Sequence, residues 1–187
     1  SGPSTFEPTL RGIRALRAHG VPVAGSIVVS RTNARQVAAT LQVFRDLGVT
    51  SVALSRYSPA GYGAAHVADL LPSRSELLAA LRQAEPFGAA GMLLQVTMPV
   101  PPCLIDTSEF PNVAFSSCPI GTEAQELALG PRGELRNCTL HSAVIGDARS
   151  TSFADLVTSP AVLQYRDVTP EFCAPCTMKA SCIGGCG

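Results

Sequence analysis

Apolar residues in the first half of the chain recur at two spacings, and the alternation between them lays out its elements. Leu10, Ile13 and Leu16 repeat at helical intervals behind Ser4-x-x-Glu7, a capping-box pattern with Pro8 in the first turn, and Gly20 ends the segment. Val21 to Ser30 is mostly apolar and β-branched, as a buried parallel strand would be. Asn33-x-x-Gln36 opens a second helix with Val37, Leu41, Phe44 and Leu47 on one stripe and Gly48 as its stop. A strand follows from Thr50 to Arg56, then a long loop from Tyr57 to Leu71 containing Pro59, Gly61 and Gly63. Ser73-x-x-Glu76 caps a third helix through about Ala84, and Met92 to Met98 makes a third strand.

Helix and strand in alternation are the pattern of an α/β layer or a barrel segment. Three strands alone leave their outer edges unpaired, so residues 1–100 read as half of a barrel. Pro99, Pro101 and Pro102 mark a change of architecture, since such a run continues neither strand nor helix. Residues 101–187 read as a second, irregular domain. Within it, Glu126 to Leu129 and Glu134 to Cys138 flank Gly130-Pro131-Arg132-Gly133 as a short hairpin, and Ser152-x-x-Asp155 starts a brief helix before Pro160. This segment has little continuous apolar sequence, and metal crosslinks would supply what hydrophobic burial lacks.

Composition narrows the function classes. The 187 residues are 46% hydrophobic and 15% charged, with 14 basic side chains balancing 14 acidic ones. That balance lacks the concentrated positive field of a nucleic-acid binder. No apolar run approaches membrane-spanning length and no export signal opens the chain, so the expectation is a cytoplasmic protein with no membrane partner. There, thiols and metal thiolates prevail over disulfides. No Ser/His/Asp arrangement or phosphate loop offers a rival chemistry.

All seven cysteines lie between Cys103 and Cys186. Cys173 and Cys176 form a CxxC knuckle, and Cys182 and Cys186 follow closely, with Gly184 and Gly185 giving the backbone room to curl. Cys118 and Cys138 bracket the hairpin. Thiolates are soft donors that favour zinc or iron–sulfur clusters, and four close cysteines are equally a structural zinc pattern. Cys103 alone is equally a buried thiol. His19 at a helix end and His66 in a loop are weak candidates, and His141 lies close enough to Cys138 to affect a cluster.

The order Cys118-x14-Gly133-x4-Cys138, then Cys173-x2-Cys176-x5-Cys182-x3-Cys186, resembles the seven-cysteine signature of the SPASM domain, with six of its positions present. That domain is the C-terminal extension of radical S-adenosylmethionine (SAM) enzymes that modify peptides and proteins. Ser4 to Leu10, Val28-Val29-Ser30, Arg31-Thr32-Asn33, Leu47-Gly48-Val49 and the strand ending at Arg56 before Ser58-Pro59-Ala60-Gly61 resemble the second half of that family's partial (β/α)6 barrel.

The resemblance implies an α/β half-barrel over 1–100 followed by a SPASM-like domain over 101–187 that stops before the seventh cysteine. It implies two auxiliary 4Fe-4S clusters, one on Cys118, Cys138 and Cys186 with Cys103 as candidate fourth ligand, the other on Cys173, Cys176 and Cys182. Arg31, Asn33 and Arg56, near the C-terminal ends of the strands, would face the barrel mouth and touch cofactor or substrate; capping or solvent exposure is the alternative for each. The radical-initiating 4Fe-4S cluster and the S-adenosylmethionine site would lie upstream of Ser1, in a parent protein that takes electrons from a reductant such as flavodoxin or ferredoxin. That parent would cleave S-adenosylmethionine and abstract hydrogen from a peptide or protein substrate, giving a crosslink, a thioether or an oxidised side chain. Two other accounts remain open: a non-catalytic iron–sulfur electron-transfer or peptide-binding module, and a zinc-stabilised α/β protein.

Overall fold

A computed structural model describes residues 5–120, 122, 124–167, 170–182 and 184–185. The chain divides into two compact units, one of Ser1–Pro59 with His66–Ser116 and one of Ala60–Ala65 with Ser117–Gly187.

The first unit begins with α1 (Phe6–Ala18), whose N-cap is Thr5 with no side-chain capping bond. The expected cap, Ser4, lies outside the described residues. The stop at Gly20 is as expected: its φ is +72°, and the Val21 amide reaches back to the Leu16 carbonyl at 3.0 Å. Strand β1 covers only Gly25–Val29. Helix α2 (Val37–Asp46) starts four residues after Asn33, with Gln36 as N-cap, and closes at Gly48, again at φ +72°. Strand β2 is Ser51–Arg56. The expected loop before the next helix contains a one-turn helix, α3 (Val67–Leu70). Helix α4 (Arg74–Ala89) carries the complete capping box of Ser73 and Glu76. It runs past Ala84, the expected end, to Ala89, with Pro86 inside its last turns.

Strand β3 (Leu93–Val96) is followed by a short 3-10 turn at Thr107–Glu109 and by β4 (Ala114–Phe115). The sheet therefore has four strands where the sequence pattern gave three. All are parallel, in the order β1-β2-β3-β4, with Ile27 beside Leu54, Val52 beside Leu94 and Val96 beside Phe115. The missed strand is two residues long and preceded by Pro111, so no period marks it.

Burial alternates along these strands. Ile27, Val29, Val52, Leu54, Leu94 and Val96 form one face and pack with Val37 and Leu41 of α2 and Leu77, Leu81 and Ala84 of α4. The opposite face is open: Val28 is 52% and Leu93 71% exposed. The strand is therefore buried on one face only, not on both as its apolar run suggests. Polar pairs lie on this side, Ser55 Oγ with Thr97 Oγ1 at 2.5 Å and Gln95 Nε2 donating to Ser116 Oγ at 2.9 Å. A doubly wound sheet has helices on both faces and a reversal in strand order. Strands in simple succession with helices on one side make a barrel wall instead. The core is a partial, barrel-like parallel α/β layer.

The second unit is smaller and less regular. It holds all but the last residue of a 3-10 segment at Gly61–His66 and a three-stranded antiparallel sheet in the order β5 (Ala128–Leu129), β6 (Glu134–Arg136), β7 (Gly146–Asp147). The hairpin joining β5 to β6 is the expected one, and β7 was not legible. Two helices follow, α5 (Phe153–Val157), capped by Ser152, and α6 (Pro160–Asp167). The brief helix ends before Pro160 as expected, and Pro160 itself opens α6, where its missing N–H costs nothing. A 3-10 turn at Glu171–Cys173 and α7 (Lys179–Cys182) follow. Leu135, Asn137, Leu156 and Val162 are among the buried residues here. Among the described residues no helix is long and apolar enough to cross a membrane.

Candidate metal centre

Five of the candidate ligands described in the structure belong to the second unit, and local turns place each of them. Cys118 is half-buried and precedes a turn in which the Thr122 amide and hydroxyl both donate to the Pro119 carbonyl, at 3.0 and 2.7 Å. Cys138, also half-buried, follows β6 where the chain bends. The His141 amide donates to its carbonyl at 3.3 Å.

The hairpin that carries Cys138 is held at its tip by Gly133. Its φ is +88°, and a Cβ there would stand 3.0 Å from Asp147 Oδ1 and 3.1 Å from Arg149 Nε. Glycine is the residue that allows both this backbone and this approach. The Ala148 amide then pairs with the Gly133 carbonyl at 2.8 Å, stitching β7 to the tip. Arg149 donates to Asp147 through Nε at 2.9 Å and an NH2 group at 2.5 Å. Those side-chain bonds, helped by the Arg149 amide, bring the Asp147 carboxyl down to about 2.

The terminal cysteines lie on a run of tight turns. The Cys176 amide donates to the Cys173 carbonyl at 3.0 Å, closing the CxxC knuckle, and the Cys182 amide donates to the Met178 carbonyl at 2.9 Å. Gly184 and Gly185 both have φ +78°, which turns the chain sharply after Cys182. Cys173 and Cys182 are half-buried and Cys176 exposed. Cys186 lies outside the described residues.

Cys103 belongs to the first unit. It is exposed, in a turn where the Leu104 amide donates to the Pro101 carbonyl at 2.9 Å. The candidate cofactor residues are in the same unit. Asn33 uses both ends of its amide to fix the turn after β1: Oδ1 accepts from the Ser30 amide and Nδ2 donates to the Val28 carbonyl, each at 2.8 Å. Arg31 donates to the Ala68 carbonyl at 2.6 Å, and its Nε stands 3.8 Å from Glu76 Oε2. Arg56 ends β2 beside Val29. His141 accepts from the Ala143 amide at Nδ1, 3.3 Å away, and its ring meets Tyr165 edge-on at 4.8 Å.

Iron–sulfur ligation asks for reduced, soft donors, and none of the six described cysteines is in a disulfide. Beside Cys138, one buried polar group is unmet. Its neighbour Asn137 is 1% exposed, and Nδ2 of that side chain is buried without a hydrogen-bond partner. Neither Asn137 nor Gln125, which bonds to it, was singled out from the sequence, where no spacing marks them. The terminal set has the donors and the turns but not the convergence. No three His, Cys, Asp or Glu side chains among the described residues are grouped so as to hold a metal ion.

The chain is 28% identical over 182 residues to the PqqA peptide cyclase of Gluconobacter oxydans, an alignment covering 92% of this chain and 48% of that protein. It is 24% identical over 180 residues to the PqqA peptide cyclase of Xanthomonas campestris pv. campestris, covering 92% and 46%. The chain is thus similar to PqqA peptide cyclases over nearly its whole length. It spans about half the length of the curated relatives it matches. Among solved structures, native anSMEcpe with bound AdoMet superposes with a TM-score of 0.65 over 97% of this chain and 52% of that one. Identity there is 14%, so that likeness is one of fold. No family model matches the chain.

Proposed function

We propose that this chain is part of a radical S-adenosylmethionine enzyme that modifies a peptide or protein, and that its cysteine-rich unit holds two auxiliary 4Fe-4S clusters. What carries the reading is the coincidence of two independent facts. The chain aligns over 92% of its length with a peptide cyclase, and its sulfur donors stand in SPASM order around a glycine-tipped hairpin.

In this reading the parallel layer is the second half of a partial (β/α)6 barrel, with its open face toward the reaction chamber. Arg31 and Arg56 serve cofactor or substrate at the C-terminal ends of β1 and β2, and Asn33 serves through the turn it holds. Cys118, Cys138 and Cys186 hold one auxiliary cluster, with Cys103 as the candidate for its remaining position. Cys173, Cys176 and Cys182 hold the other. Drawing those three together is part of what cluster binding has to accomplish, since ligation and local folding are coupled in such sites. When bound, these groups supply redox centres whose potential follows from the surrounding hydrogen bonds and burial. A cytoplasmic reductant such as flavodoxin or ferredoxin supplies electrons to the full-length protein.

The test is to incubate the full-length protein, purified without oxygen, with S-adenosylmethionine, a reductant and small peptides encoded beside it. Formation of 5′-deoxyadenosine together with a mass change in one peptide is the expected outcome. A fully iron-loaded protein that yields neither product would count against the reading.

A further inference from the structure

Helix α2 begins without a cap of its own. Its N-cap residue, Gln36, makes no side-chain capping bond, and its backbone stands at φ −112° and ψ 7°. A cap residue reaches over the first turn of its helix from extended backbone, as Ser73 does before α4 at φ −66° and ψ 164°. Asn33 has the chemistry for the task but is turned back on β1, where its amide meets the Ser30 amide and the Val28 carbonyl. The amide of Ala38, the second residue of α2, has no carbonyl available to it within the helix.

That amide is met by a residue 45 positions away. Gln83 of α4 accepts from it at Oε1, 3.2 Å distant, and donates through Nε2 to the Ala34 carbonyl at 2.8 Å and to the Ala79 carbonyl of its own helix at 3.0 Å. The two ends of one side-chain amide thus close on Ala34, inside the turn after β1, and on Ala38, just beyond it. The oxygen is the end that faces the start of α2, where the helix dipole favours an acceptor. Gln83 is half-buried, and Ala34 and Val37 beside it are fully buried, so water competes poorly for these bonds. The turn is held from two sides, by Asn33 to β1 and by Gln83 to α4.

We propose that Gln83 is a positioning residue for the S-adenosylmethionine site. It supplies the cap that α2 lacks and so keeps residues 30–36 in the form that presents Arg31 and Asn33 at the end of β1. This rests on the reading above, in which those two residues serve the cofactor; Gln83 itself touches only the chain. A ligand that fits one form of a turn binds more weakly in proportion to the time spent in other forms.

The experiment uses the full-length protein, purified without oxygen and with its iron measured, and titrates it with S-adenosylmethionine in equilibrium dialysis. Hydrogen exchange of the segment 33–38, read by mass spectrometry, and urea denaturation are recorded on the same samples. Gln83→Met removes both bonds at similar volume; Gln83→Glu keeps the acceptor and loses the donor. Loss of a cap should speed exchange in the segment about fivefold in Gln83→Met. A turn in its binding form only about a fifth of the time raises the dissociation constant about fivefold, with Gln83→Glu intermediate in both. A glutamine that matters only for stability would lower the urea midpoint and leave the affinity of the folded protein unchanged, and that result would overturn the proposal. If Gln83→Met does not fold, Gln83→Glu decides: unchanged affinity and unchanged exchange in it would overturn the proposal equally. A wild type that binds no S-adenosylmethionine would overturn the functional reading beneath it, while exchange in the variants still shows whether Gln83 holds the turn.

Discussion

Replacing Gly133 by alanine isolates the hairpin tip from the rest of the second unit. The residue has φ +88°, where an L side chain costs about 1–2 kcal/mol. The added methyl would meet Asp147 Oδ1 at 3.0 Å and Arg149 Nε at 3.1 Å, both ends of flexible side chains that can give way. Alanine also restricts the unfolded chain, which returns about 0.4–1 kcal/mol. The net loss is therefore about 1 kcal/mol, roughly a fivefold change in a local opening equilibrium. Amide hydrogen exchange reads it directly. The Gly130 amide, bonded to the Glu134 carbonyl, and the Ala148 amide, bonded to Gly133, both at 2.8 Å, should exchange about fivefold faster. Gly12 supplies the control: it lies inside α1 with nothing within 4 Å of a built Cβ. Gly12→Ala should stabilise its helix by about 0.5–1 kcal/mol. Equal protection of Gly130 and Ala148 in wild type and Gly133→Ala would refute the role assigned to the left-handed tip.

Two other outcomes follow from the same geometry. Leu41 is fully buried between α2 and the sheet. Leu41→Ala should cost about 2–5 kcal/mol in urea denaturation of the first unit, and a loss below 1 kcal/mol would contradict the packing described. The Asp147 carboxyl lies at about 2 in the folded chain, below its ordinary 3.8. Its contribution is therefore complete above the unfolded value and is lost as pH falls from there through about 2. Carbon chemical shifts of Asp147 should titrate with a midpoint near 2 in wild type, and a midpoint at the ordinary aspartate value would show the Arg149 contact to be absent in solution.

Signals confined to a few residues were the ones legible in the sequence. The capping box of Ser73 and Glu76, the glycine stops at Gly20 and Gly48, the Gly130-to-Gly133 hairpin and the cap at Ser152 each depend on neighbours within about one turn. What escaped depends on distant partners. Strand β4 exists because Ala114 and Phe115 reach β3, and β7 because Gly146 reaches Leu135. Asn33 looked like a helix cap, but its amide binds backward to Val28 and Ser30. Val28 reads as core from its chemistry, yet it lies on the open face, because an apolar run does not say how many faces of a strand are covered.

The site divides along the same line. Spacing in the chain displayed the sulfur donors and the glycine that turns the hairpin, whereas convergence of donors is a three-dimensional property. Asn137 and Gln125, which tie the Cys118 segment to Cys138, emerged only from burial and an unmet donor.

The central claim is that the thiols of this chain ligate inorganic iron–sulfur centres. The most direct measurement is quantitative iron and sulfide analysis, with Mössbauer spectra, of the full-length protein purified without oxygen. Two auxiliary clusters beside a radical-initiating one require about twelve irons and as many sulfides per chain. About four irons, or zinc in place of iron and sulfide, would contradict the account.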